Sequence, residues 1–243
     1  MFASDTVRAS TGPPVVAAAL ETALVHASSA LARLPGVTVV ASDNSGSMTS
    51  PVSAKSIVTH QAAANLMAAI AQRISDDAHL IVFGESARLV PVSVSDSILT
   101  AMNRQASTNV GHATNTHRVL ELMIEKKIRA DRLILFSDMQ CYSSATSPDT
   151  FAGAVAKYRA ALNPALVVHS VDLAGYGTAS LSTSDPRVNL VSGFSEKILR
   201  TVGEFERGLA AVDVPPTTEA PASAARSEPA RTNATLDDIR ARF

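Results

Sequence analysis

Three observations predict an α/β fold in which helices cover both faces of a mostly parallel sheet. Apolar runs of strand length alternate with segments of helical period. The strand runs are continuously apolar rather than alternating, as strands covered on both faces are. The chain of 243 residues, 46% hydrophobic and 18% charged, can bury one sizeable core and is too apolar to be disordered throughout.

The elements follow in order. Val16, Leu20, Leu24, Ala27, Leu31 and Leu34 recur at helical spacing after Pro13-Pro14, which predicts a first helix that Pro35-Gly36 stops. Val37–Ala41 reads as a buried strand. Val58, Ala62, Leu66, Ile70 and Ile74 mark a second helix. Leu80–Phe83 and Leu89–Val92 read as a strand pair around Gly84, and a short helix follows over about 95–103. Val119, Leu120, Met123 and Ile124 give another helical face, and Leu133–Phe136 is a continuous apolar strand. Phe151, Val155, Tyr158 and Leu162 predict a helix; Leu166–Val171 and Arg187–Val191 predict strands. Ile198, Val202, Phe205 and Leu209 form the inner face of a final helix.

The composition changes near Asp213. The segment PPTTEAPASAARSEPART contains no large apolar side chain and is expected to be a disordered linker. It leads to TLDDIRARF, where Leu236, Ile239 and Phe243 share a helical spacing but a frayed terminus is expected. The predicted organisation is an arm over 1–14, a folded domain over 15–212 and a disordered Pro/Ala-rich tail over 213–243.

Composition excludes several classes. A single cysteine, Cys141, makes neither an internal disulfide nor a cysteine-based zinc site. A net charge of −1 and 4% aromatic residues argue against a surface that grips nucleic acid by charge and stacking. Glu21, His26 and Arg33 interrupt the apolar N-terminal segment, so neither a signal-peptide core nor a membrane span is expected, and the location expected is cytoplasmic.

In a parallel sheet ligands collect beyond the carboxyl ends of the strands. After the first strand stands Asp43-Asn44-Ser45-Gly46-Ser47-Met48, and after the fourth Ser137-Asp138-Met139-Gln140. Before the Val119 helix lies Gly111-His112-Ala113-Thr114-Asn115-Thr116. Asp43, Ser45 and Ser47 alternate, so a loop leaving the strand can point all three one way. Carboxylates and hydroxyls are hard oxygen ligands that suit Mg2+ or Mn2+ rather than zinc or copper. Taken singly, an Asp-Asn-Ser-Gly stretch is more often a turn, and Ser-Asp or Thr114 a helix cap. Their joint placement at strand ends is what favours a metal site.

These segments resemble the metal-ion-dependent adhesion site (MIDAS) of von Willebrand factor A domains, a Rossmann-like fold. LARLPGVTVVASDNSGSM, LILFSDMQ, VDLAGYGT and VNLVSGFSEKILRTV together resemble the A-type domain of Ro/TROVE ribonucleoproteins, of the bacterial and phage-borne kind, over about residues 15–210. The resemblance implies Asp43, Ser45, Ser47, Thr114 and Asp138 as the metal residues. It also implies an open coordination position for an acidic side chain of a partner protein. Gly-His-Ala-Thr stands where relatives often show Gly-Gly-Gly-Thr, so His112 either crowds the site or offers a second polar contact. Ro proteins carry a ring of helical repeats before this domain, whereas about fifteen residues precede it here: either the ring is encoded separately or the domain works without it. A separately encoded helical-repeat TROVE subunit is one expected partner, with RNA reached only through the assembly.

No HExxH pair, G-x-S-x-G elbow or phosphate-binding glycine motif is present, so a non-catalytic binding module is the expected function. The alternative is a metal-dependent phosphodiesterase or nuclease using the same carboxylates. Two-metal catalysis needs more than Asp43 and Asp138 supply, which leaves Asp149 and Asp172 as candidates near strand ends.

Overall fold

The computed structural model describes residues 14–93, 95–139, 150–177, 181–195 and 197–213. Most of the predicted arm, most of the predicted tail, Cys141 and Asp149 lie outside them, and Pro14, assigned to the arm, opens the first helix. The chain divides into two units, Met1–Ala211 and Val212–Phe243, and the fold is that of the first.

Six helices and six strands follow one another: α1 (Pro14–Ser29), β1 (Leu34–Asp43), α2 (His60–Ile74), β2 (Ser75–Phe83), β3 (Ala87–Val90), α3 (Ile98–Ser107), α4 (His117–Glu125), β4 (Arg132–Ser137), α5 (Phe151–Ala161), β5 (Val167–Asp172), β6 (Val188–Ser192) and α6 (Lys197–Asp213). The strands form one sheet in the order β3-β2-β1-β4-β5-β6. Only β3, the edge hairpin partner of β2, runs antiparallel. The predicted mostly parallel α/β sheet is therefore present.

Val39, Ala41, Leu133 and Leu135 pack on one face with Val119, Leu120 and Met123 of α4 and with Phe151, Val155 and Tyr158 of α5. Val40, Ile134 and Phe136 point to the other face, against Ala64, Met67 and Ala68 of α2 and Ile198 and Val202 of α6. This two-sided burial is why the strand runs carry no polar alternation. Among the described residues no helix is long and apolar enough to cross a membrane.

Two helical expectations are corrected. The first helix ends at Ser29, where Ser28 and Ser29 donate their hydroxyls to the carbonyls of Val25 and His26 and compete with continuation. Leu34 belongs to β1 instead. Of the predicted apolar face, Val16 (56% exposed) and Leu20 (50%) stand in solvent. The packed residues of α1 are Leu24 and Val25, against α2 and α3. On α2 the face toward the sheet is Ala64, Met67, Ala68, Ala71 and Ile74. Leu66 packs on the α1–α3 cluster and Ile70 on both clusters, while Val58 stands before the helix, which begins at His60. This helix lies between two layers, and its alanines allow close approach to the strands.

At the amino edge of the sheet a polar network ties α6 down. Arg132 donates Nε and one terminal nitrogen to the two carboxylate oxygens of Glu206 at 2.7 Å each. It donates its other terminal nitrogen to the Pro35 carbonyl and to Thr38 Oγ1. His169, fully buried, meets the same carboxylate through Nε2 at 3.0 Å and Asn189 through Nδ1.

Candidate metal centre

β1 lies between β2 and β4, so the strand order turns between β1 and β4, and a crevice opens there at the carboxyl ends of the strands. Asp43 is the last residue of β1 and Ser137 the last of β4; the parallel register pairs Ser42 with Phe136 just below them. By strand alternation Asp43 and Ser137 both point to the α4–α5 face.

Asp43 is fully buried. Its Oδ1 accepts from the Ser45 amide at 2.8 Å, and its Oδ2 from Ser137 Oγ at 2.6 Å. Ser137 Oγ in turn accepts from the Met139 amide at 3.0 Å. Met139 has φ +58°, a left-handed conformation uncommon outside glycine, which turns the chain sharply after Asp138. Asp138 is 2% exposed. Burial pushes the Asp43 carboxyl up to about 6, hydrogen bonds from Ser137 and Ser45 draw it back, and the charge of Asp138 pushes it further up.

Beyond Asp43 the chain bends into a 3-10 turn over Ser47–Thr49. This turn brings Ser45 Oγ and Ser47 Oγ to 3.4 Å. The Gly46 amide donates to the His112 carbonyl at 2.9 Å and so pins this loop against the one carrying Thr114, which is buried. The second loop crosses the end of β2 at Gly84: Asn115 donates its amide to the Gly84 carbonyl, and Ser86 donates to Val110. A Cβ on Gly84 would lie 2.9 Å from both the Gly111 carbonyl oxygen and Val110 Cγ2, so only glycine permits this approach.

Asp43, Ser45 and Asp138 are buried at this edge, with the half-buried Ser47 beside Ser45 and Thr114 on the adjoining loop. His112 acts through its backbone carbonyl, and its side chain is exposed. Sequence reasoning missed Ser137 and Gly84. Ser137 was legible only as the residue before Asp138, and Gly84 as the break between two apolar runs. Asp172, a candidate for further acid chemistry, accepts three backbone amides, from Ala174, Gly175 and Gly177. Its carboxylate is committed to shaping its own loop.

Among the described residues no three His, Cys, Asp or Glu side chains converge. Two carboxylates and three hydroxyl side chains are an all-oxygen set, which fits a hard divalent cation and not a soft one. Among the described residues no cationic side chain contributes to holding the Asp43 charge.

A family profile described as the Ro60 vWA domain matches residues 38–206, from within β1 to within α6. The chain belongs to the Ro60 von Willebrand factor A-domain family. Among solved structures this Ro60-type domain is similar to the Ro (RSR) protein of Deinococcus radiodurans, with a TM-score of 0.65 and 22% identity over 80% of this chain and 39% of that one. It is also similar to proximal thread matrix protein 1 of the mussel byssus, with a TM-score of 0.50 and 13% identity over 72% of this chain and 49% of that one. Another structure of the mussel protein, with a TM-score of 0.45 and 16% identity over 72% of this chain and 46% of that one, is described as having a zinc-occupied MIDAS motif. The chain therefore spans less than half the length of each, and at these identities the likeness is one of fold. No curated protein sequence matched the chain.

Proposed function

We propose that this Ro60-type A domain is a non-catalytic binding module whose carboxyl-edge loops hold Mg2+ or Mn2+. Asp43, Ser45, Ser47, Thr114 and Asp138 would hold the ion, directly or through water. The observation that carries this reading is the burial of Asp43 beside Asp138, with its charge offset only by hydrogen bonds. Two carboxylates in such a position repel one another, and a divalent cation would neutralise both. Bound there, the cation supplies an electrophilic position open to an acidic side chain of a partner protein.

The partner class we propose is a helical-repeat protein of a Ro/TROVE-like ribonucleoprotein assembly in the cytoplasm, with RNA reached through that assembly. The near-neutral charge supports a protein partner over bare RNA.

The test titrates Mn2+ into wild type and an Asp43→Ala, Ser45→Ala double variant. Wild type is expected to bind and to gain thermal stability where the variant does neither. Equal binding and stability in the two overturn the metal reading. Co-purification from the native host, with and without EDTA, reads the partner: its loss in EDTA supports recruitment through the ion. Multiple-turnover cleavage of RNA that Asp138→Asn abolishes would replace the binding reading with a nuclease.

A further inference from the structure

Gln105, in the last turn of α3, is fully buried, a position a primary amide tolerates only when its polar atoms are paired. They are. Ser42 Oγ donates to Gln105 Oε1 at 2.8 Å, and Gln105 Nε2 donates to the carbonyls of Asn65 on α2 at 3.0 Å and Ala101 at 3.2 Å. The Gln105 backbone carbonyl, which accepts the Thr108 amide at the end of α3, also accepts Asn44 Nδ2 at 2.9 Å. Ser42 and Asn44 are the two chain neighbours of Asp43. One residue of α3 therefore grips the side chains on both sides of that aspartate. Asn44 Oδ1 is buried without a partner, so the bond to Gln105 alone holds this side chain among the described residues.

We infer that Gln105 is a positioning residue for the metal loop, setting the direction of the Asp43 carboxylate by clamping Ser42 and Asn44; this rests on the metal-binding reading above. Ser42 and Asp43 point to opposite faces of the sheet, so Gln105 acts from behind the strand and through the backbone. Hydrogen bonds that orient ligands from behind commonly govern metal affinity by ten- to a hundredfold.

The test measures Mn2+ affinity of the full chain by calorimetry for wild type, Ser42→Ala, Gln105→Leu, the double variant and Asp43→Ala. Thermal midpoints are recorded in EDTA. Ser42→Ala and Gln105→Leu are each expected to weaken Mn2+ about tenfold. The double variant is expected to be no weaker than the weaker single one, because both substitutions break the same bond. The metal-free midpoint of Ser42→Ala is expected to fall, because Gln105 Oε1 is left buried without a donor; affinity is therefore read well below both midpoints, where a purely structural role would leave it unchanged. If Gln105→Leu fails to fold, Ser42→Ala and its effect on affinity decide alone. Wild-type affinity in Ser42→Ala, or additive losses in the double variant, overturn the inference, while loss of Mn2+ binding in Asp43→Ala leaves the metal reading standing. Wild-type binding by Asp43→Ala removes the metal reading itself, and this inference with it.

Discussion

Ser137 on β4 donates a 2.6 Å hydrogen bond to the carboxylate of Asp43 on β1 and joins the two strands at the point where the strand order turns. Both groups are buried, and the acceptor is a carboxylate, so this bond is of the stronger, charge-assisted kind. Ser137→Ala is expected to lower the unfolding free energy at neutral pH by about 1–2 kcal/mol. It is also expected to weaken Mn2+ binding severalfold. Urea denaturation and metal titration of the same variant check both outcomes.

The Arg132–Glu206–His169 network makes stability depend on acid. Burial alone would raise the Glu206 carboxyl, but hydrogen bonds from His169 and Arg132 and their charge hold it at about 2 against an ordinary 4.5. A carboxylate depressed in the folded state contributes stability that is complete above its unfolded value and is lost as pH falls through the folded one. Wild type is therefore expected to lose on the order of 2 kcal/mol from this group between about pH 5 and pH 2. Glu206→Gln is expected to lose that component of the pH dependence. At pH 7 it is expected to be about 3 kcal/mol less stable, because Arg132 remains buried without its counter-charge. Equilibrium unfolding across that pH range reads both.

Gly84 sets the distance between β2 and the loop that carries Thr114. In Gly84→Ala the new methyl meets backbone and Val110 at 2.9 Å, so the 110–115 loop must move. A loss of about 1–3 kcal/mol is expected. Weaker metal binding should accompany it through Thr114. Amide chemical shifts of His112–Asn115 that match wild type would contradict this.

Glu21 of α1 caps a helix distant in sequence: its two carboxylate oxygens accept the amides of Ile98 at 2.8 Å and Leu99 at 3.1 Å. A carboxylate there also meets the positive end of the α3 dipole. Glu21→Ala is expected to cost about 1 kcal/mol and to speed hydrogen exchange at Ile98 and Leu99. Unchanged exchange at these two amides would show that Ser97, which caps Thr100, suffices alone.

The strands were legible because both faces are covered, and a run such as Leu133–Phe136 has only one reading. Asp43 and Asp138 were legible because each stands at the end of such a run. The buried face of α1 was not. Val16 and Leu20 have the spacing of a buried stripe yet lie in solvent, since spacing states only that residues share a side. Asn44, Gln105 and Glu21 gave no local signal, because their partners lie 61, 63 and 77 residues away.

The sequence by itself determined the α/β class, the order of the elements and the loops on which the proposed oxygen ligands stand. These depend on periodicity and on residue chemistry, both local properties. Tertiary structure decided which strand ends are neighbours, and so that Asp43 meets Ser137 and that α3 reaches behind the metal loop. Pairing between distant segments is settled by burial and hydrogen bonding over the whole core, which no window of the chain contains.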